Sequence, residues 1–354
     1  MTKAAIWGAG NIANLHAQAL RSSGVELVAV VDNYEESARR FAENWQIPNF
    51  GTDKEILFDE KIQTVHVCTP PNLHYQMVKE LLLHKKNVIC EKPLCFSSEE
   101  ADELYALAEK NNLKCAVNFN VRYYSAIKEI KQQVRSVEFG KTFLVHGEYL
   151  QSYHLLPTDY TWRYNPELAG EMRAVTEIGT HWFDLIEHVT NQQIVRVSAK
   201  FGKFNPLRAL KDGKMLPSED VTPDSETVTV NSEDAALITF ELENGAIGSV
   251  VLSEVSHGKK NQLKVAFTGA HGTVTWNSQR NNEFNYAYGR EDLKTSVDAY
   301  GNAFGDTFMS LINDFYAENS SDRLPDIKAA GHIVKLCNTV YESDRQNGAW
   351  LDVK

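Results

Sequence analysis

The feature that most limits the folds open to this chain is a short apolar run that ends in two closely spaced glycines and opens straight into a helical pattern. Residues 4–7, Ala4-Ala5-Ile6-Trp7, read as a buried strand, Gly8-Ala9-Gly10 as a tight turn, and residues 11–22 as a helix. The same rhythm recurs. Strands are expected at 26–31, 64–68, 87–90 and 114–118, and helices at 34–44, 73–84 and 98–111. Strands separated by helices need right-handed crossovers, which build a parallel sheet covered on both faces. The expectation for residues 1–120 is therefore a doubly wound α/β domain.

After residue 120 the rhythm changes. A helix is expected over 124–137, a strand over 142–149 and a second helix over 174–189. Strands at 235–242 and 246–254 flank Asn244-Gly245, a strong hairpin signal, and 262–267 and 273–276 flank a second glycine-containing turn. Residues 121–354 are thus expected to form an α+β domain with a large, mostly antiparallel open sheet, closed by helices over 303–317 and 327–343. Residues 204–226, with Pro206, Pro217 and Pro223, read as a long loop.

Composition enters at this point. The chain has 354 residues, 43% of them hydrophobic, enough for two cores at about 100–200 residues per domain. Lys and Arg number 36 against 47 Asp and Glu, a net charge of −11, which argues against nucleic acid as partner. No apolar run reaches the ~18 residues of a membrane span, and the apolar stretch after Met1-Thr2-Lys3 is too short for a signal peptide. Five cysteines without a C-x-x-C pair suggest reduced thiols, so a cytoplasmic protein is expected.

Gly8-Ala9-Gly10-Asn11-Ile12-Ala13 has the chemistry of a dinucleotide turn. The first glycine permits the bend and the second lets backbone approach a pyrophosphate. The phosphates then sit on N–H groups around Gly8, Gly10, Asn11 and Ile12, at the positive end of the helix. Asp32 ends the second strand 22 residues after Gly10, placed to accept from the ribose diol and to repel a 2′-phosphate. NAD is favoured, with NADP kept as an alternative by Arg39 and Arg40. A plain βα turn with a capping aspartate is the simpler reading of the same residues.

Three further motifs converge: Thr69-Pro70-Pro71-Asn72-Leu73-His74, Cys90-Glu91-Lys92-Pro93, and Glu177-Ile178-Gly179-Thr180-His181-Trp182-Phe183-Asp184. With the glycine turn, in this order, the set resembles the glucose-fructose oxidoreductase, inositol dehydrogenase and rhizopine catabolism (Gfo/Idh/MocA) family over essentially the whole chain. The resemblance implies a Rossmann domain followed by a substrate domain whose open sheet packs against another subunit, as a homodimer or homotetramer. It implies oxidation or reduction of a secondary alcohol of a sugar or polyol. Lys92 would be the active-site lysine, often followed by a cis proline, and His181 the proton-transfer residue. Glu177 stands where the family usually has aspartate. Cofactor contacts would come from Thr69, Pro70, Asn72, His74, Glu91, Lys92 and Asn120.

Residue chemistry agrees with that assignment. Lys92 follows the carboxyl end of a parallel strand, where doubly wound sheets bind ligands. Glu177 and His181 are four apart on one helix, so the carboxylate is able to orient the imidazole. Alcohol oxidation needs a base for the hydroxyl proton, a role suited to His181, and a cation near the oxygen, suited to Lys92. Substrate contacts are expected from Lys92, Asn120, His181 and the aromatic loop residues Tyr160, Trp162 and Arg163, the last three with packing as an equal alternative. No metal is expected, since no recognisable ligand spacing occurs. The loop resembles that of a sugar-dehydrogenase branch, which favours a neutral sugar or anhydrosugar. The alternatives are an NAD(H)-binding regulator without turnover, and a glycoside-cleaving enzyme that oxidises its substrate transiently.

Overall fold

The computed structural model describes residues 2–354 except 156–160, 212–213, 217–221, 223–224 and 299. The chain runs β1 (Lys3–Trp7), α1 (Asn11–Ser22), β2 (Glu26–Val31), α2 (Glu35–Trp45), β3 (Asn49–Gly51), β4 (Thr64–Val67), α3 (His74–Leu83), β5 (Asn87–Cys90), α4 (Ser98–Asn111), β6 (Cys115–Val117) and α5 (Ser125–Val134). It continues through β7 (Thr142–Leu150), α6 (Pro166–Ala169), α7 (Thr180–Thr190), β8 (Ile194–Gly202), β9 (Leu207–Lys211), β10 (Lys214–Leu216), β11 (Glu226–Thr229), β12 (Ala235–Leu242) and β13 (Ile247–Ser253). The last elements are β14 (Gln262–Gly269), β15 (Gly272–Asn277), β16 (Glu283–Tyr288), β17 (Lys294–Val297), α8 (Phe304–Tyr316), α9 (Ile327–Arg345) and β18 (Leu351–Asp352). Two compact units result: Met1–Tyr123 with Asn302–Val334, and Tyr124–Gly301 with Lys335–Lys354.

The first unit is a six-stranded parallel sheet in the order β3-β2-β1-β4-β5-β6. The order reverses direction between β1 and β4, which is where an open α/β sheet forms its ligand crevice. Ala4, Ala5, Ile6, Val30, Val65 and Ile89 are fully buried, as a sheet covered on both faces requires. Helix α4 begins with a capping box in which the Ser97 hydroxyl accepts from the Glu100 N–H and the Glu100 carboxylate accepts from the Ser97 N–H. Helix α8, which sequence patterning assigned to closing the second sheet, packs on α1 instead. Its Leu311, Ile312 and Phe315 share a core with Leu20 and Phe41. Burial of each such side chain is worth about 1.5–3 kcal/mol, so α8 is an integral part of this unit.

The second unit contains a nine-stranded sheet in the order β17-β16-β15-β14-β7-β13-β12-β8-β18. Only β7 and β13 run parallel among these neighbours; the other pairs are antiparallel. The Asn244-Gly245 signal lies in the hairpin loop that joins β12 to β13, with the Leu242 N–H on the Ala246 carbonyl at 2.8 Å and Gly245 at φ +82, where a side chain would be strained. Helix α7 lies against β7. Its Trp182 is fully buried and donates from Nε1 to the Lys264 carbonyl at 3.1 Å. A side chain at Gly147 would come within 2.1 Å of that same carbonyl, so the strand needs glycine at this crossing. The stretch expected to be a loop over 204–226 instead contributes to a small antiparallel sheet, β10-β9-β11. Pro206 lies immediately before β9, outside the strand, so it leaves the hydrogen bonds of that strand intact. Among the described residues no helix is long and apolar enough to cross a membrane.

Candidate active site

In the first unit the glycine turn is held by three independent constraints. Gly8 sits at φ +103, and a Cβ there would lie 2.8 Å from the Cys68 backbone, so both conformation and the crossing strand demand glycine. Its N–H donates to the Val31 carbonyl at 2.7 Å. Asp32 Oδ2 accepts from the Ala9 N–H at 2.8 Å, and Oδ1 from the Tyr34 N–H at 2.9 Å. The aspartate thus pins the turn while retaining acceptor capacity, since a carboxylate offers about four lone-pair sites. Gly10 differs from Gly8: a Cβ there would meet nothing within 4 Å. Packing inside the chain does not require this glycine, whereas a ligand's close approach to backbone does. Asn11 and Ile12 then open α1 with first-turn N–H groups that have no intrahelical acceptor.

The loops after β4 and β5 are tied to each other by one side chain. His74 is fully buried at the start of α3; its Nδ1 is 2.7 Å from the Pro93 carbonyl and its Nε2 2.9 Å from the Thr69 carbonyl. Burial pushes its pKa down, opposed by those two carbonyls. His74 therefore braces the Thr69-Pro70 turn against the Lys92-Pro93 turn, whose peptide bond is cis. Asn72 Oδ1, in the same loop, is buried and without a hydrogen-bond partner. Asn118 Oδ1, just past β6, is orphaned in the same way. A bare amide oxygen costs about 1–3 kcal/mol unless a donor arrives, and a dinucleotide supplies such donors. The open face of Gly10 and these orphaned oxygens fit NAD.

Glu91 is the centre of a buried chain that sequence reading missed. Its Oε1 accepts from His16 Nε2 at 2.8 Å and from Asn118 Nδ2 at 2.6 Å. His16 Nδ1 is 2.8 Å from His66 Nδ1, and His66 Nε2 is 2.9 Å from the Tyr316 hydroxyl. His16 and His66 are both fully buried. Burial would raise the Glu91 carboxyl, but donation by His16 and Asn118 and the charge of Lys92 outweigh it and hold it below the ordinary carboxylate value. Asn120, expected to meet cofactor or substrate, donates from Nδ2 to Thr307 Oγ1 on α8 at 2.7 Å.

In the second unit the motif helix begins with a π turn, Val175–Gly179, that runs into α7. Such turns bulge a helix and are frequent at functional sites. Glu177 lies in the π turn and His181 in the first turn of α7, the latter 8% exposed. Arg163 Nε donates to Glu177 Oε2 at 3.1 Å, and its guanidinium stacks 4.5 Å over Trp162. The structure thus brings together three expected site residues, Trp162, Arg163 and Glu177. Tyr160 lies outside the described residues.

Behind this helix stands a charge cluster with no signal in the sequence reading. Arg173, 1% exposed, donates from Nε to Glu254 Oε2 at 2.9 Å and from Nη2 to Asp234 Oδ1. Glu233 accepts the backbone N–H groups of Arg173 at 3.0 Å and Val175 at 2.8 Å, capping the π turn. Burial pushes Glu233 up to about 7 and Glu254 up to about 8. His154, bonded to the Tyr164 hydroxyl at 2.8 Å, is pushed down to about 3 by burial and the charge of Arg173, so it stays neutral.

Comparison with known proteins decides the family. The profile described as an oxidoreductase family with an NAD-binding Rossmann fold matches residues 2–119, and that of the GFO/IDH/MocA C-terminal domain matches residues 127–275. The chain belongs to the Gfo/Idh/MocA oxidoreductase family. It is an NAD-dependent oxidoreductase. Levoglucosan dehydrogenase of Pseudarthrobacter phenanthrenivorans is 26% identical over 90% of this chain and 86% of its own. Glucose-6-phosphate 3-dehydrogenase of Bacillus subtilis is 24% identical over 89% and 82%. Among solved structures, levoglucosan dehydrogenase with NADH and L-sorbose superposes with a TM-score of 0.91 at 22% identity, covering 100% of this chain and 99% of that one. An inositol dehydrogenase homologue from Azotobacter vinelandii with NAD+ gives 0.83 at 22% identity, covering 99% and 97%. At such identities the structural likeness establishes the fold.

Proposed function

We propose that this enzyme interconverts a secondary alcohol of a neutral sugar, anhydrosugar or polyol and the corresponding ketone. Bound NAD supplies the hydride acceptor. The observation that carries the reading is the presence of both acid–base groups the chemistry needs: Lys92 at the carboxyl end of β5, and His181 at the head of the motif helix. His181 takes the hydroxyl proton, and the Lys92 ammonium stabilises negative charge developing on the oxygen. Glu177 holds Arg163, which in turn presents the Trp162 face. Because Glu177 answers the Arg163 charge, this loop offers little net positive potential, which favours a neutral ring over a phosphate ester. The dinucleotide is held by the glycine turn, Asp32, the Thr69-Pro70-Pro71-Asn72 loop and Glu91.

The same reading includes self-association. Along β12 and β13, Leu237 and Ile247 are 60% and 57% exposed on the uncovered face, with Val251 opposite Leu237. An apolar strip on an open sheet fits a second copy, and sedimentation should return a dimer or tetramer.

A panel of free and phosphorylated sugars, anhydrosugars and polyols, offered with NAD and with NADP, tests the assignment. The expected result is NADH formed in step with a keto-sugar from an unphosphorylated substrate. Tight NADH binding without turnover on any of them would instead point to a regulator, and sugar release without net NADH to a glycoside-cleaving enzyme. In the active enzyme, His181→Ala should lower kcat at least about 100-fold while leaving NADH affinity nearly intact.

A further inference from the structure

The buried chain around Glu91 joins three elements of the first unit that the proposed chemistry uses separately. His16 lies on α1, whose first turn carries the phosphate-binding N–H groups; Glu91 precedes Lys92; His66 and Tyr316 continue the chain to β4 and α8. We propose that His16 is a positioning residue that clamps the Glu91 carboxylate, and through it the Lys92 loop, to the helix that receives the dinucleotide phosphates. The inference rests on Lys92 acting in the reaction proposed above.

Three features of the geometry carry it. First, Glu91 Oε1 takes both of its donors, His16 Nε2 and Asn118 Nδ2, at 2.8 and 2.6 Å, which fixes the carboxylate from two sides. Its second oxygen makes no hydrogen bond to a described residue. Second, an ionised acceptor at this distance requires hydrogen on His16 Nε2 whichever charge the imidazole carries. Third, His16 is locked from behind. His66 meets its Nδ1, and the Tyr316 hydroxyl holds His66 in turn, so the His16 ring is unable to flip without breaking its buried hydrogen bonds to both Glu91 and His66. His66 is held neutral by burial and by His16.

The groups that face Glu91 come from every element around it: His16 from α1, Cys68 after β4, Cys90 at the end of β5, His74 from α3, Asn118 after β6, and Lys92 beside it. Both thiols are pushed up by burial and stay uncharged. His16 and Lys92 are therefore the groups that favour the charged carboxylate electrostatically, with Asn118 as a second donor, and removing His16 takes away the largest influence that opposes burial.

The test compares wild type with His16→Gln, which keeps a donor near the Nε2 position, and His16→Leu, which removes it. The Glu91 carboxyl is followed by 13C NMR, assigned with Glu91→Gln, alongside kcat and the affinity for NADH. In His16→Leu the carboxyl midpoint should move up by about one pH unit or more, and kcat should fall about tenfold or more. NADH affinity should stay within about threefold. His16→Gln should restore the carboxyl midpoint and most of kcat. An unmoved carboxyl midpoint in His16→Leu, or a His16→Gln enzyme that behaves like it, would overturn the clamp. If His16→Leu does not fold, 15N NMR of the wild-type imidazole decides: a protonated Nε2 supports the clamp and a bare Nε2 refutes it. A wild type inactive on every sugar, with the carboxyl shift as expected, would contradict the dehydrogenase reading alone.

Discussion

The two units hold buried charge by opposite means. In the first, the glycine turn is mostly backbone: Gly8 shapes it, Gly10 leaves its face open, one aspartate pins it, and the buried carboxylate at its rear, Glu91, is kept ionised by His16, Asn118 and Lys92. In the second, the motif helix rests on side-chain charge. Three carboxylates, Glu233, Asp234 and Glu254, crowd around Arg173, and burial leaves two of them proton-rich. The difference teaches that depth alone does not set a carboxylate's state: around Glu91 two donors and the Lys92 charge outweigh burial, whereas around Glu254 burial and the nearby carboxylates Glu177 and Glu233 outweigh Arg173. Glu91 and Glu254 are both buried, yet one is lowered and the other raised.

The contrast is broken most severely by removing the cation of the second unit. Arg173→Met should destabilise the protein by about 3–5 kcal/mol in denaturant titration, because it strands several buried carboxyl groups. A smaller loss is expected from Asp32→Ala. Removing the acceptor of the Ala9 N–H should weaken NADH binding about tenfold and narrow the preference over NADPH. Unchanged NADH affinity would show that Asp32 serves only the turn. The mildest change concerns pH. A carboxyl raised in the folded state binds more protons there than in the unfolded chain. Glu254 therefore makes stability fall as pH rises from about 4.5 to about 8, with no further loss beyond. Glu254→Gln should flatten that slope by at most about 1.4 kcal/mol per pH unit, read as melting temperature against pH. Glu91 has the opposite sign, losing its contribution as pH falls below the ordinary carboxylate range.

How much of this was legible depended on whether the determinant was local. β2 and α4 follow from a contiguous apolar run and a helical period, and the glycine turn and Asn244-Gly245 hairpin from residues that only certain backbone shapes need. The three-residue edge strand β3 is too short to show a period, and β9 to β11 were hidden by flanking prolines. The apolar face of α8 was visible, but not that its partner is α1, because periodicity names a face without naming what covers it. The same limit hid the site's supports. His16 meets Glu91 across 75 residues and Arg173 meets Glu254 across 81, pairs that spacing along one chain does not reveal. The motifs that contain Lys92 and His181 were visible as short local patterns, and the family they pointed to is the one the chain belongs to.

The most direct test of the central claim follows the hydrogen itself. The substrate from the sugar panel is labelled with deuterium at its carbinol carbon, and the reduced cofactor is analysed by mass spectrometry. Hydride transfer predicts one deuterium in each NADH formed, matched mole for mole by keto-sugar. Unlabelled NADH, or product without any net NADH, would contradict the account.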